Sequence, residues 1–236
     1  MNLDRLFGSS TALPAPSRQS QQVQTGTLCA VLLALVIPLV AFSQEPSSEL
    51  FEAAKKGDID ALKSILGKGG NINAKGNNGR TGLMEAAYWG RVDAAKLFLE
   101  KGADANAKDQ EDHTALIDAS GNGHIQVVQA LLEKGADPNA KNKEGGTALI
   151  EAASNNRAEV VAALIAKNAS VDDKDKEGRT ALILAANWGH EDVVKALIDK
   201  GANVNLKDKY GYTAMMYAKR ENHPKVVELL SKAGAK

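Results

Sequence analysis

Thr147-Ala148-Leu149-Ile150-Glu151-Ala152 is one of five copies of a phrase that opens at Thr81, Thr114, Thr147, Thr180 and Thr213, each 33 residues after the last. The others are Thr81-Gly82-Leu83-Met84-Glu85-Ala86, Thr114-Ala115-Leu116-Ile117-Asp118-Ala119, Thr180-Ala181-Leu182-Ile183-Leu184-Ala185 and Thr213-Ala214-Met215-Met216-Tyr217-Ala218. A fixed period of this length marks a tandem array, in which one small unit buries its apolar face only by stacking on copies of itself. Downstream of each phrase lies a second apolar run, such as Val127-Val128 with Leu131-Leu132, whose spacing makes one face of a helix. Each unit therefore carries two helices. Gly69, Gly102, Gly135, Asn168, Gly201 and Gly234 recur at the same period and suit the left-handed residue that ends a helix. The segment that follows, as in Ala136-Asp137-Pro138-Asn139-Ala140 and Asn142-Lys143-Glu144-Gly145, reads as an extended polar hairpin with a tight turn.

These phrases resemble the ankyrin repeat. The resemblance implies an all-α repeat solenoid of helix-turn-helix units joined by β-hairpin turns. It covers about residues 48–236, in units of about 48–75, 76–108, 109–141, 142–174, 175–207 and 208–236, with the two outermost units shortened as caps. The family's Thr-Pro-Leu-His is replaced here by Thr-Ala-Leu-Ile or Thr-Gly-Leu-Met, so an apolar residue stands where the family places a histidine. Met84, Ile117, Ile150, Ile183 and Met216 are expected to stack as an apolar seam between units. Phe51 and Phe98 fall at core positions.

The N-terminus has a different character. Residues 1–43 carry only three charges, Asp4, Arg5 and Arg18, and an uninterrupted apolar stretch from Leu28 to Phe42. That stretch is 15 residues long and contains Pro38, whereas a spanning helix needs roughly 20 apolar residues. It reads as an export signal cut after Ser43, with residues 44–47 as a short linker. The 27 residues ahead of Leu28 are many for a signal, which leaves an uncleaved anchor as the alternative. Either way the array leaves the cytoplasm, for the periplasm, the inner-membrane surface or the outside of the cell. Cys29 is the only cysteine and precedes the proposed cut, so the mature chain would lack a thiol, excluding disulfides and cysteine-ligated zinc. The whole chain balances 29 positive against 29 negative side chains, which gives no electrostatic ground for binding nucleic acid.

Candidate chemistry reduces to repeat positions. His124, His190 and His223 share one position before the second helix, a whole repeat apart, and do not converge on a metal. His113 stands at a turn and reads as solvated or facing a partner. Asp173-Lys174-Asp175-Lys176-Glu177-Gly178 begins like a calcium-binding loop, but its twelfth position is Leu184 where a bidentate glutamate is required. Asn168-Ala169-Ser170 is a glycosylation sequon whose asparagine also fits the helix-ending position. Glu85, Asp118 and Glu151 recur at one position on successive first helices and read as a solvated row. No phosphate loop, nucleophile elbow or His-Glu-x-x-His helix occurs. No catalytic residue, cofactor or metal is expected, and an enzyme is the minority alternative.

The resemblance implies that hairpin turns and first helices line a concave surface that takes a protein partner. Those positions lie four, three and one residues before each phrase-opening threonine, and four, seven and eight after it. All six tyrosines and tryptophans of the chain fall among them: Tyr88, Trp89, Trp188, Tyr210, Tyr212 and Tyr217. Such rings are the residues most enriched in interface hot spots, although surface packing is the competing explanation. Arg80, Glu85, His113, Asp118, Asn122, Glu151, Asn155 and Arg179 complete the candidate face. Its centre is polar and mildly acidic, which predicts a partner with apolar contacts flanking a polar or basic middle. The expected molecule is a monomeric, non-enzymatic scaffold of a bacterial cell envelope. A secreted protein acting on a host target, or a membrane-anchored organiser, are the alternatives.

Overall fold

Each phrase-opening threonine caps a helix. Thr81, Thr114, Thr147, Thr180 and Thr213 are extended at the backbone, and each hydroxyl accepts from the amide three residues on at 3.3 Å. This satisfies one of the amides that every helix start leaves without an internal partner. The computed structural model describes residues 46–235, and among them are twelve α-helices and no β-strand. The export signal, Cys29 and the cut after Ser43 lie outside the described residues.

The first helices are α1 (Pro46–Lys56), α3 (Gly82–Tyr88), α5 (Ala115–Asn122), α7 (Ala148–Ser154), α9 (Ala181–Trp188) and α11 (Ala214–Arg220). The second helices are α2 (Ile59–Gly67), α4 (Val92–Glu100), α6 (Ile125–Glu133), α8 (Ala158–Ala166), α10 (Glu191–Asp199) and α12 (Pro224–Lys232). Each first helix packs on the next first helix, and each second helix on the next second helix. Between the rows runs one aliphatic core, in which Leu83, Leu116, Leu149 and Leu182 meet Val128, Val161 and Val194 with almost no exposure. The six helix-ending positions are left-handed as the period implies, including Asn168 at φ 63°. Its capping role thus accounts for Asn168.

The core also corrects two expectations. Met84, Ile117, Ile150 and Ile183 are buried between units, but Met216 is 45% exposed, because among the described helices α11 packs on α9 and α12 and leaves that side open. Phe98 is fully buried, whereas Phe51, in the first unit, is only half-buried beside the Gly76 turn.

The hairpin is narrower than its name. A single antiparallel bridge, Lys75 with Thr81, occurs among the described residues. Each later turn is closed by two backbone bonds, in unit three Asp109 N–H to the His113 carbonyl and Asp112 N–H to the Asp109 carbonyl, both at 3.1 Å. A turn-opening Asp or Asn braces it: Asp109, Asn142, Asp175 and Asp208 each accept from the amides two and four residues on. Asp175 is consumed in this way, and no group of metal-ligating side chains occurs among the described residues.

Neighbouring units are tied by repeated bonds. The amides of Gln110, Lys143, Lys176 and Lys209 donate to the carbonyls of Asn78, Glu111, Glu144 and Glu177 at 2.9–3.0 Å, linking each turn to the one before. Lys75, Lys108, Lys141 and Lys174 each donate Nζ to a carbonyl 33 residues ahead. His124, His190 and His223 place Nε2 3.0 Å from the carbonyls of Tyr88, Ser154 and Asn187, each 36 residues back. Arg91 makes the same reach to Lys55 at 2.8 Å. The three histidines are therefore inter-unit braces.

Candidate functional site

Along the face of turns and first helices the aromatic side chains form two groups. In unit two, Tyr88 and Trp89 meet edge to face with centroids 5.4 Å apart, the Arg80 guanidinium lies 5.6 Å from the Tyr88 ring, and Lys55 Nζ lies 5.5 Å from that of Trp89. In unit six, Tyr212 and Tyr217 are 5.6 Å apart with Arg220 over both, and Lys209 sits 5.1 Å from the Tyr210 ring. Trp188 stands by itself between them and is 59% exposed. Tyr88, Trp89, Trp188, Tyr210 and Tyr212, with Met216, make up the exposed large apolar side chains of the described residues. Tyr217 differs, for its ring is half-buried and its hydroxyl donates to Asp208 at 2.7 Å, so it braces the last turn. That bond and the turn amides depress the Asp208 pKa against the opposing effect of burial.

Of the four cations seated on these rings, Arg80 belongs to the face expected from the sequence, whereas Lys55, Lys209 and Arg220 are absent from it. All three occupy face positions of the same 33-residue ruler, seven after Ser48, four before Thr213 and seven after Thr213. Column position could have found them.

The carboxylate row is not a solvated face. Arg80, with a side chain only 15% exposed, contacts Glu85 at 2.6 Å, Asp118 at 2.9 Å and Asp109 at 3.5 Å. Asp118 is buried, and its other oxygen lies 3.4 Å from His113 Nδ1. His113 Nε2 lies 3.1 Å from the Asn142 side-chain nitrogen. Because the Asn142 oxygen already accepts from the Glu144 and Gly146 amides, its nitrogen is the atom that must face the ring. A neutral His113 that donates from Nδ1 and accepts at Nε2 satisfies both neighbours. Arg80, Glu85, Asp118 and His113 thus form an internal network, and Asp118 is withdrawn from any partner. Asn122 and Asn155 are exposed, but each side chain donates to the carbonyl four residues back at 2.9 Å.

Glu151 is the exception in that row. No hydrogen bond or ion pair to its carboxylate occurs among the described residues. Burial pushes its pKa above the ordinary glutamate value, opposed by His113 when that ring is protonated and by Arg179. Two small clefts meet at it, one of about 220 Å³ walled by Ile150, Leu184 and Trp188, the other of about 230 Å³ reaching Tyr88 and Asn122. Arg179 lines the first cleft, yet its guanidinium is held by Asp175 at 2.7 and 2.8 Å.

A family model described as ankyrin repeats (3 copies) matches residues 50–142 and 149–236. The chain belongs to the ankyrin repeat family. Among solved structures, an ankyrin repeat domain from Acinetobacter baumannii is 36% identical with a TM-score of 0.73, over 79% of this chain and 98% of that one. The human ASB11 ankyrin repeat domain is 31% identical with a TM-score of 0.73, over 79% of this chain and 84% of that one. No curated protein sequence matches the chain significantly. Ankyrin repeats generally mediate protein–protein interaction, and ankyrin repeat domains are typically non-enzymatic.

Proposed function

We propose that this chain is a non-enzymatic scaffold of the cell envelope, which holds a protein partner on the face formed by its turns and first helices. The observation that carries the reading is the placement of aromatic surface. Among the described residues, five of the six exposed large apolar side chains lie on that one face, with exposures of 42–63%. Exposed rings of this kind cost solvation in the free protein and return it when a partner covers them. The turns beneath are pre-ordered by their inter-unit bonds, so little conformational entropy is lost on association. An envelope location rests on the apolar stretch Leu28–Phe42, and a mature N-terminus at Gln44 would separate a cleaved signal from an anchor.

Affinity capture from envelope extract tests this, using the parent beside Tyr88→Ala/Trp89→Ala and Tyr210→Ala/Tyr212→Ala variants with parental circular dichroism. A partner retained by the parent and lost from the variants is the expected result. Equal retention by all three would remove the face from the account.

A further inference from the structure

The residue before each threonine decides what becomes of the carboxylate five positions later. In unit two it is Arg80, which pairs with Glu85 and reaches across to Asp118 of unit three. In unit three it is His113, whose ring also meets Asp118. In unit four it is Gly146, which has no side chain to offer Glu151. The space is tight as well as empty of charge, since a Cβ at Gly146 would lie 2.8 Å from Glu151 Oε1 and 3.0 Å from the Asn142 side-chain nitrogen. In unit five the corresponding cation, Arg179, turns back to Asp175, and the carboxylate column continues as the apolar Leu184. The ladder of paired charges therefore stops one cation short, at the middle of the exposed aromatic face.

Resting on the proposed protein-binding role, we infer that the cleft over Glu151 receives an arginine side chain of the partner, which completes this ladder from outside. Four kinds of complementarity fit that occupant. The carboxylate lacks a partner among the described residues, and a guanidinium can bond it through two N–H groups. Trp188 walls the same cleft with an exposed indole on which a planar guanidinium can stack, a geometry that lysine cannot reproduce. Ile150 and Leu184 offer aliphatic contact to the methylene stem. The size agrees too: about 220 Å³ is below the roughly 300–1,000 Å³ of small-molecule sites and suits a single side chain.

The test is a selection of random twelve-residue peptides displayed on phage against the full chain, followed by affinities of the enriched peptides for the parent, Glu151→Gln and Trp188→Phe. The expected result is enrichment of one arginine flanked by apolar residues. Replacing that arginine by glutamine, or Glu151 by glutamine, should each weaken binding at least tenfold, and the two losses should not add when combined. That non-additivity marks direct contact, which a merely structural effect of the variant would not give. Peptides without an arginine preference, additive losses, a lysine equal to the arginine, or no enrichment at all would overturn the inference. Peptides indifferent to Glu151 but lost with Tyr88→Ala/Trp89→Ala would overturn it while leaving the protein-binding face intact. Binding indifferent to every face variant would defeat both.

Discussion

At the scale of residues, the repeat is a template whose exceptions come in matched pairs. The second residue of the phrase is Ala in four copies and Gly82 in one, and the residue facing it is leucine in later units but Phe98 in the same unit as Gly82. A Cβ at Gly82 would meet the Phe98 ring at 2.5 Å, so the glycine is the space the ring fills. Gly82→Ala should destabilise the protein by about 1–3 kcal/mol through overpacking, and Phe98→Leu in the same chain should recover most of the loss, as urea unfolding would measure. Glu151 gives a second residue-scale outcome. Burial raises its folded pKa, so as pH rises the unfolded chain ionises first. Its stability contribution is full below the ordinary glutamate value and falls as pH climbs through the raised folded one. Glu151→Gln should therefore have a higher unfolding midpoint than the parent at neutral pH, with the difference closing in acid. These pairings were only partly legible in the sequence. The positions could be read from the period, but which carboxylate finds a cation depends on a side chain reaching one unit further, as Arg80 does to Asp118.

At the scale of elements, the signals were local and the sequence was correspondingly clear. The threonine caps, the left-handed residue at each second-helix end and the apolar spacing each act within a few residues, and the described helices follow them. Helices of seven to nine residues would be marginal alone, so capping and inter-unit contact must hold them. Thr147→Val should cost about 1 kcal/mol by leaving the Ile150 amide without its acceptor, read as a lower urea midpoint with little change in helix content. What local signals did not convey is the brace role of His124, His190 and His223. Each acts across 36 residues, a distance visible only once the units are stacked.

At the scale of the whole molecule, stability is built from neighbours, and position in the stack changes what the same residue does. Ile183 and Met216 share a repeat position, but one is buried and the other is 45% exposed. Ile183→Lys should unfold the central units, at a cost of several kcal/mol for an unpaired buried charge, whereas Met216→Lys should stay within about 0.5 kcal/mol of the parent; thermal denaturation of the two variants checks the contrast. The sequence placed both in one seam because a column of equivalent residues does not show where the stack stops covering them. The aromatic face is likewise a property of the stack, since its two groups come from units two and six. Hydrogen–deuterium exchange of the chain with and without its captured partner tests that face most directly. The account predicts slowed exchange in the turns and first helices around Tyr88, Glu151, Trp188 and Tyr210, with α4, α6, α8 and α10 unchanged; protection confined to those second helices would contradict it.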